Sequence, residues 1–209
     1  MASTHKQANQ TPLAILALVY GAGFFLSLRG LSALESLSSI SAQLISSAAF
    51  TVVGLLVVSV ITGQLDAVQK ARFIFLRWSD PLPGGEAFST IMNSDTRIGV
   101  DELVSKHGPF PTTRAEQNRY WYKMYKAVAS DQGVQDASKQ YLLFRDATIL
   151  AAFLGAGFSI ALLLLGDGIG TKALFASFCV GALLLIWRAA RVAGRRLVVQ
   201  VLMLNPAVE

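Results

Sequence analysis

Between Glu35 and Asp66 the chain runs for 30 residues, 36–65, without a charged side chain. About 20 apolar residues in a helix rising 1.5 Å each cross the roughly 30 Å hydrocarbon core of a bilayer, so this stretch is predicted to span a membrane. No proline or turn signal separates it from Asp66-Ala-Val-Gln-Lys-Ala-Arg72-Phe-Ile-Phe-Leu-Arg77-Trp78, which predicts one helix from Ser36 to Trp78 continuing from lipid into water. Three further runs, 7–28, 147–166 and 173–187, are also free of charge. The last is short, but Arg188 can reach back toward the headgroups and Trp187 is a typical interfacial anchor. Four spans are therefore expected. The composition agrees, with 53% hydrophobic and 15% charged residues and a mean hydropathy of +0.50, outside the ordinary soluble range.

Orientation follows from the basic residues. Lys6 lies in the N-terminal tail, 11 Lys and Arg lie between the second and third runs, and Arg188, Arg191, Arg195 and Arg196 follow the fourth. The two short connections hold only Arg29 and Lys172, so 16 of 18 basic residues fall on one side, which the positive-inside rule makes cytoplasmic. The first run is read as a retained span: its leading segment is weakly basic and no small-residue cleavage site leads into a soluble domain. The expected fold is all-α and polytopic, with a helical cytoplasmic domain inserted between spans two and three. Its parts are a cytoplasmic tail at 1–11, a first hairpin at 12–65, the domain at 66–146, a second hairpin at 147–188 and a basic cytoplasmic segment at 189–209.

Polar and small residues inside the spans are informative because lipid tolerates few of them. Ser39, Gln43, Ser47 and Thr51 recur at i, i+4 spacing and so share one helix side, which faces other helices or a water-filled path. Residues 13–24 and 147–158 are identical at seven of twelve positions, including Gly21-Ala22-Gly23-Phe24 and Gly155-Ala156-Gly157-Phe158. An internal duplication into two parallel hairpins would leave such a match; so would the common composition of membrane helices. Under either reading Gly21, Gly23, Gly155 and Gly157 are candidate helix-packing positions. Cys179, the only cysteine, lies within the fourth run and reads as a small packing residue; no intrachain disulfide can form.

In the middle segment the predicted helix to Trp78 is broken by Ser79-Asp80-Pro81-Leu82-Pro83-Gly84-Gly85. Short helices are expected near 86–92 and 100–107, the latter closed by Gly108-Pro109. Thr113-Arg-Ala-Glu116 reads as a capping box opening a helix to about Ala129, and a last helix runs from Val134 into the third span. In helix 114–129, Arg119, Lys123 and Lys126 share one side, with Trp121, Met124, Tyr125 and Val128 opposite. The basic side is either an ordinary solvated face or a site for anionic lipid headgroups, a nucleotide or an oligonucleotide, with Tyr120 and Tyr122 at its margins for stacking. Arg188, Arg191 and Arg195 offer the same two readings after the fourth span. Arg145, Asp146, Arg77 and Asp80 suggest an ion-pair collar at the interface. Residues 66–146 carry 11 basic and 10 acidic side chains, a net of +1, so duplex DNA binding is not expected.

Enzymatic chemistry finds little footing. His5 and His107 are the only histidines, nothing has metal-ligand spacing, and Gly168-Ile-Gly170-Thr-Lys172 is too short for a phosphate loop. No acid or histidine lies within an expected span, against proton-coupled transport or intramembrane proteolysis. A protein without catalytic residues, metal or cofactor is expected.

Gln117-Asn118-Arg119-Tyr120-Trp121-Tyr122-Lys123, followed by Tyr141-Leu142-Leu143-Phe144-Arg145-Asp146 leading into a span, resembles small bacterial four-span membrane effectors of antiphage systems, of the Hailong type that pairs them with a nucleotidyltransferase. The resemblance covers roughly 70–165. It implies an oligomeric ion channel in the bacterial inner membrane, held shut or opened by a nucleotide ligand. The expectation is accordingly a homo-oligomer, taken as a tetramer, with Ser39, Gln43, Ser47 and Thr51 along its pore. The alternative is a non-conducting membrane scaffold or adaptor in which the stripe only joins helices.

Overall fold

The computed structural model of the 209-residue chain describes residues 9–29, 56, 60, 62–166 and 168–204. Ser39, Gln43, Ser47 and Thr51 lie outside the described residues. Among those described, every regular element is helical: α1 (Gln10–Arg29), α2 (Ala67–Phe75), α3 (Val100–His107), α4 (Arg114–Ala127), α5 (Gln132–Leu165) and α6 (Ile169–Met203), with a short 3-10/π/3-10 run between α2 and α3. Three of these, α1, α5 and α6, are long and apolar enough to cross a membrane. The all-helical class read from the sequence is what the described residues adopt.

The chain divides into two compact units, one formed by Met1–Asp66 with Asp146–Trp187 and the other by Ala67–Arg145 with Arg188–Glu209. Helices α5 and α6, of 34 and 35 residues, are each about 50 Å long and contribute to both.

The first unit is built from the apolar helices. Tyr20, Ala151, Leu162, Phe175 and Cys179 form its buried centre, with Phe24, Leu154, Phe158 and Leu183 around them. Phe24 of α1 stacks on Phe158 of α5 with centroids 4.8 Å apart and meets Phe175 of α6 edge-on at 6.3 Å. A Cβ placed on Gly155 would lie 3.3 Å from the Cβ of Cys179 and 3.4 Å from the Tyr20 ring, and one on Gly23 would lie 3.4 Å from Phe175. Close approach of this kind is what holds helices together in lipid, where apolar surface is no worse off outside the bundle than inside it. Around Gly21 and Gly157, by contrast, there is nothing within 4 Å. Leu163, Leu164, Leu165, Leu184 and Leu185 point outward, as a lipid-facing surface requires.

In the second unit, Phe88, Ile91 and Met92 of the irregular run pack with Leu103 of α3, Trp121 and Met124 of α4, Val134 and Tyr141 of α5, and Leu197, Val198, Val201 and Leu202 of α6. The stretch after Arg188, read from sequence as a basic segment of its own, thus supplies a large part of this core. The arginines of α6 are exposed while Ala190, Ala193, Leu197, Val198 and Val201 are buried, an amphipathic pattern that the run of charges conceals.

The continuous helix expected from Ser36 to Trp78 is not what forms. Residues 62–64 are helical, Leu65 and Asp66 are not, and α2 starts afresh at Ala67. Glycine at 63 weakens the helix, and aspartate is favoured just outside a helix start, so no proline is needed for the break. At the other end Leu76 adopts φ +52°, in the left-handed region that stops a helix, and the Arg72 Nε donates to the Trp78 carbonyl at 3.0 Å across the turn.

Candidate anion-binding groove

Helix α4 begins at Thr113, whose extended backbone and side-chain oxygen fit the N-cap role: Oγ1 accepts the Glu116 N–H at 3.4 Å and donates to Glu116 Oε2 at 2.6 Å. Its buried side carries Gln117, Trp121 and Met124 at i, i+4, i+7. Gln117 is almost fully buried, and both its amide oxygen and its amide nitrogen are hydrogen-bonded. Oε1 accepts from the backbone N–H groups of Phe88 and Ser89 and from the Ser89 hydroxyl, each at 3.2 Å, while Nε2 donates to the Thr112 carbonyl at 3.1 Å. One side chain therefore fixes both the π-helical turn Ala87–Ile91 and the loop that enters α4.

That loop forms a wall. Phe110 lies flat on Phe88, with centroids 4.1 Å apart and planes 4° from parallel, and Tyr120 stands edge-on to both at 5.7 and 5.8 Å. The Tyr120 hydroxyl is within hydrogen-bond distance, 3.2 Å, of His107 Nδ1 at the end of α3. Between this wall and the outer side of α4 runs an open groove of about 500 Å³. Pro109, Phe110, Pro111 and Thr112 line one side, and Glu116, Arg119, Tyr120 and Lys123 the other. Arg119 and Lys123 are exposed, one turn apart, so their cations can converge on a single anionic group. The Glu116 carboxylate, held by Thr113, gives the groove a hydrogen-bond acceptor one turn before Arg119. Such a groove suits a ligand with an anionic group, a ring to lie on aromatic surface and a hydrogen-bond donor.

Of the residues singled out from sequence, Arg119, Lys123 and Tyr120 meet in this groove. Lys126 does not line it; its Nζ lies 4.9 Å above the ring of Tyr122, which in turn stacks on Tyr125. Arg188, Arg191 and Arg195 are exposed on α6, and Arg195 donates to the Ser94 hydroxyl oxygen at 2.5 Å. Arg77, assigned to a collar with Asp80, instead meets Glu86 at 2.5 Å, and the same carboxylate oxygen takes Arg114 at 3.0 Å. Glu86 is the nearer acid because the tight turn at Pro83–Glu86 brings it round. The contributions of Phe110, Thr112 and Glu116 were not readable as a site; the only signal was that Pro109 and Pro111 keep the approach to α4 extended.

Among the described residues no three His, Cys, Asp or Glu side chains gather as metal ligands. No family model, no curated protein and no solved structure matches the chain.

Proposed function

We propose that the protein is a homo-oligomeric inner-membrane channel or pore-type effector, opened or closed by an anionic ligand, a nucleotide or short oligonucleotide, bound at the α4 groove. The observation that carries this reading is the groove itself: two cations on adjacent turns beside aromatic surface, in a chain that also has three helices fit to cross a membrane. Support for coupling comes from α5 and α6, which each continue as one helix from the unit holding the groove to the apolar unit. A change in the second unit, which holds the groove, can therefore be transmitted along these two helices. In this reading Ser39, Gln43, Ser47 and Thr51 supply the polar path, the assembly is a tetramer, both termini are cytoplasmic, the role is antiphage defence, and no step is enzymatic.

The test is electrical. The full chain is reconstituted in planar bilayers, its mass in the same preparation is measured, and current is recorded with and without ATP and a triadenylate in the cytoplasm-side bath. Ligand-dependent current from oligomers, lost in Arg119→Ala/Lys123→Ala, is the expected result. A protein that binds neither compound and carries no current is a membrane adaptor instead.

A further inference from the structure

The surface of the second unit has one strongly apolar place. Trp78 is 85% exposed and Leu76 68%, with Phe73 beside them at 41%; among the described residues of this unit no other large apolar side chain is more than half exposed. The three belong to α2 and the turn that ends it. The opposite side of α2 is not free, since Lys70, Ala71 and Ile74 are buried. Phe75 of α2 packs against the core of the unit, while Phe73 on the helix and Leu76 and Trp78 in the turn after it are exposed.

We propose that α2 lies in the plane of the membrane interface, with Phe73, Leu76 and Trp78 inserted among lipid headgroups and the first acyl carbons. Three observations select lipid as the occupant. The chain passes to α2 at Asp66–Ala67 from the apolar unit, which holds the helices long and apolar enough to cross a membrane. The helix is interrupted there at Leu65 and Asp66, so α2 is a separate helix free to take its own direction along the surface. Phe73 is six residues from Ala67, about 9 Å along the helix. The headgroup layer is roughly 5–8 Å thick, so a helix standing upright would carry Phe73 out of it and Trp78 farther still. Lying flat keeps all three in contact with lipid, at the 5–10 Å depth usual for an interfacial helix.

The chemistry of the patch fits as well. Tryptophan is the side chain most at home at the headgroup level, and the exposed Arg72, whose Nε is held by the Trp78 carbonyl, places a positive charge beside it for lipid phosphates. The bond also keeps Trp78 beside the helix end instead of on a loose tail. The proposal is independent of whether the protein conducts.

Depth measurement by spin label tests it on the full chain in nanodiscs of phosphatidylcholine and phosphatidylglycerol. In a Cys179→Ala background, labels are placed at Leu76→Cys, with Lys106→Cys as the aqueous reference and Leu164→Cys as the lipid reference; Trp78→Cys serves as a second reporter should the first fail to assemble. The expected result is a label at 76 or 78 that collides with a water-soluble nickel chelate at least tenfold less than the label at 106 and collides readily with oxygen. Equal access to the nickel chelate at 76 and 106 overturns the proposal. Shielding from both reagents also overturns it, because the patch is then covered by protein, as in a contact with a second copy.

Discussion

Gln117 Oε1 lies 3.2 Å from the backbone nitrogen of Phe88, 29 residues earlier in the chain. Both residues are buried, so Gln117→Leu leaves the Phe88 N–H without a partner, at a cost of about 1–3 kcal/mol. The damage should be local. Hydrogen exchange is expected to quicken at residues 87–92 and at Phe110 and Thr112 while the apolar halves of α5 and α6 keep their protection. Exchange unchanged at 88 and 89 would mean that another acceptor holds the turn.

The three cations of α4 are not equivalent. Arg119 and Lys123 line the groove, whereas Lys126 sits over Tyr122 outside it. A hydrogen bond to a charged group contributes about 1.5–3 kcal/mol, so alanine at 119 or 123 should weaken binding of a nucleotide probe by roughly 10- to 150-fold. Alanine at 126 should change it less than threefold. Calorimetric titration with ATP at two salt concentrations checks this, and three equal losses would point to general charge attraction.

Small residues in the apolar unit separate in the same way. Leucine at Gly155 has to displace Cys179 and Tyr20, and overpacking of this kind costs about 1–3 kcal/mol. A lowered melting temperature in detergent is expected. Around Gly21 and Gly157 there is room within the chain, so leucine there should leave monomer stability alone. Should oligomer mass fall in those two variants, the open side of these glycines meets another copy.

Asp95 gives a pH signature. The side-chain hydrogen bonds from Arg97, at 2.9 and 2.8 Å, hold its carboxyl down at about 2, below the ordinary 3.8. A depressed value means that the pair's contribution is complete above pH 3.8 and is lost as pH falls toward 2. Nothing attributable to Asp95 should therefore change between pH 8 and 5. Carboxyl carbon shifts should locate its midpoint near 2, and Arg97→Ala should move the midpoint upward toward 3.8.

Charge exclusion made α1, α5 and α6 legible, because a bilayer penalises charge so heavily that a gap in the charges is nearly sufficient evidence. The start of α4 was legible from Thr113 and Glu116, and the end of α3 from Gly108, since caps are local chemistry. The π-helical turn at Ala87–Ile91 was not, because it depends on Gln117, which is distant in sequence. Nor was the break before α2, where Gly63 and Asp66 weaken a helix without the clear stop that a proline gives. The basic stretch after Arg188 concealed a core helix for a related reason: four arginines dominate the reading while Leu197, Val198 and Val201 do the packing. In the groove, Arg119 and Lys123 could be named from helical spacing, whereas its other wall required knowing that Phe110 lies on Phe88.

The polar stripe Ser39, Gln43, Ser47 and Thr51 separates the channel from the adaptor. A conducting path needs water or polar groups along its length, and an apolar constriction closes by dewetting. Gln43→Leu and Ser47→Leu should therefore abolish current while oligomer mass is unchanged. If the stripe only joins helices, each lost interhelical hydrogen bond costs on the order of 0.6 kcal/mol, up to ~2, and assembly weakens instead. Thr51→Val keeps the side-chain shape and removes only the hydroxyl, so a change in current there reports polarity and not packing. Single-channel current and oligomer mass measured on the same preparations distinguish these outcomes. Intact oligomers with unaltered current in all three variants would remove the stripe from the pore and assign the path to another helix.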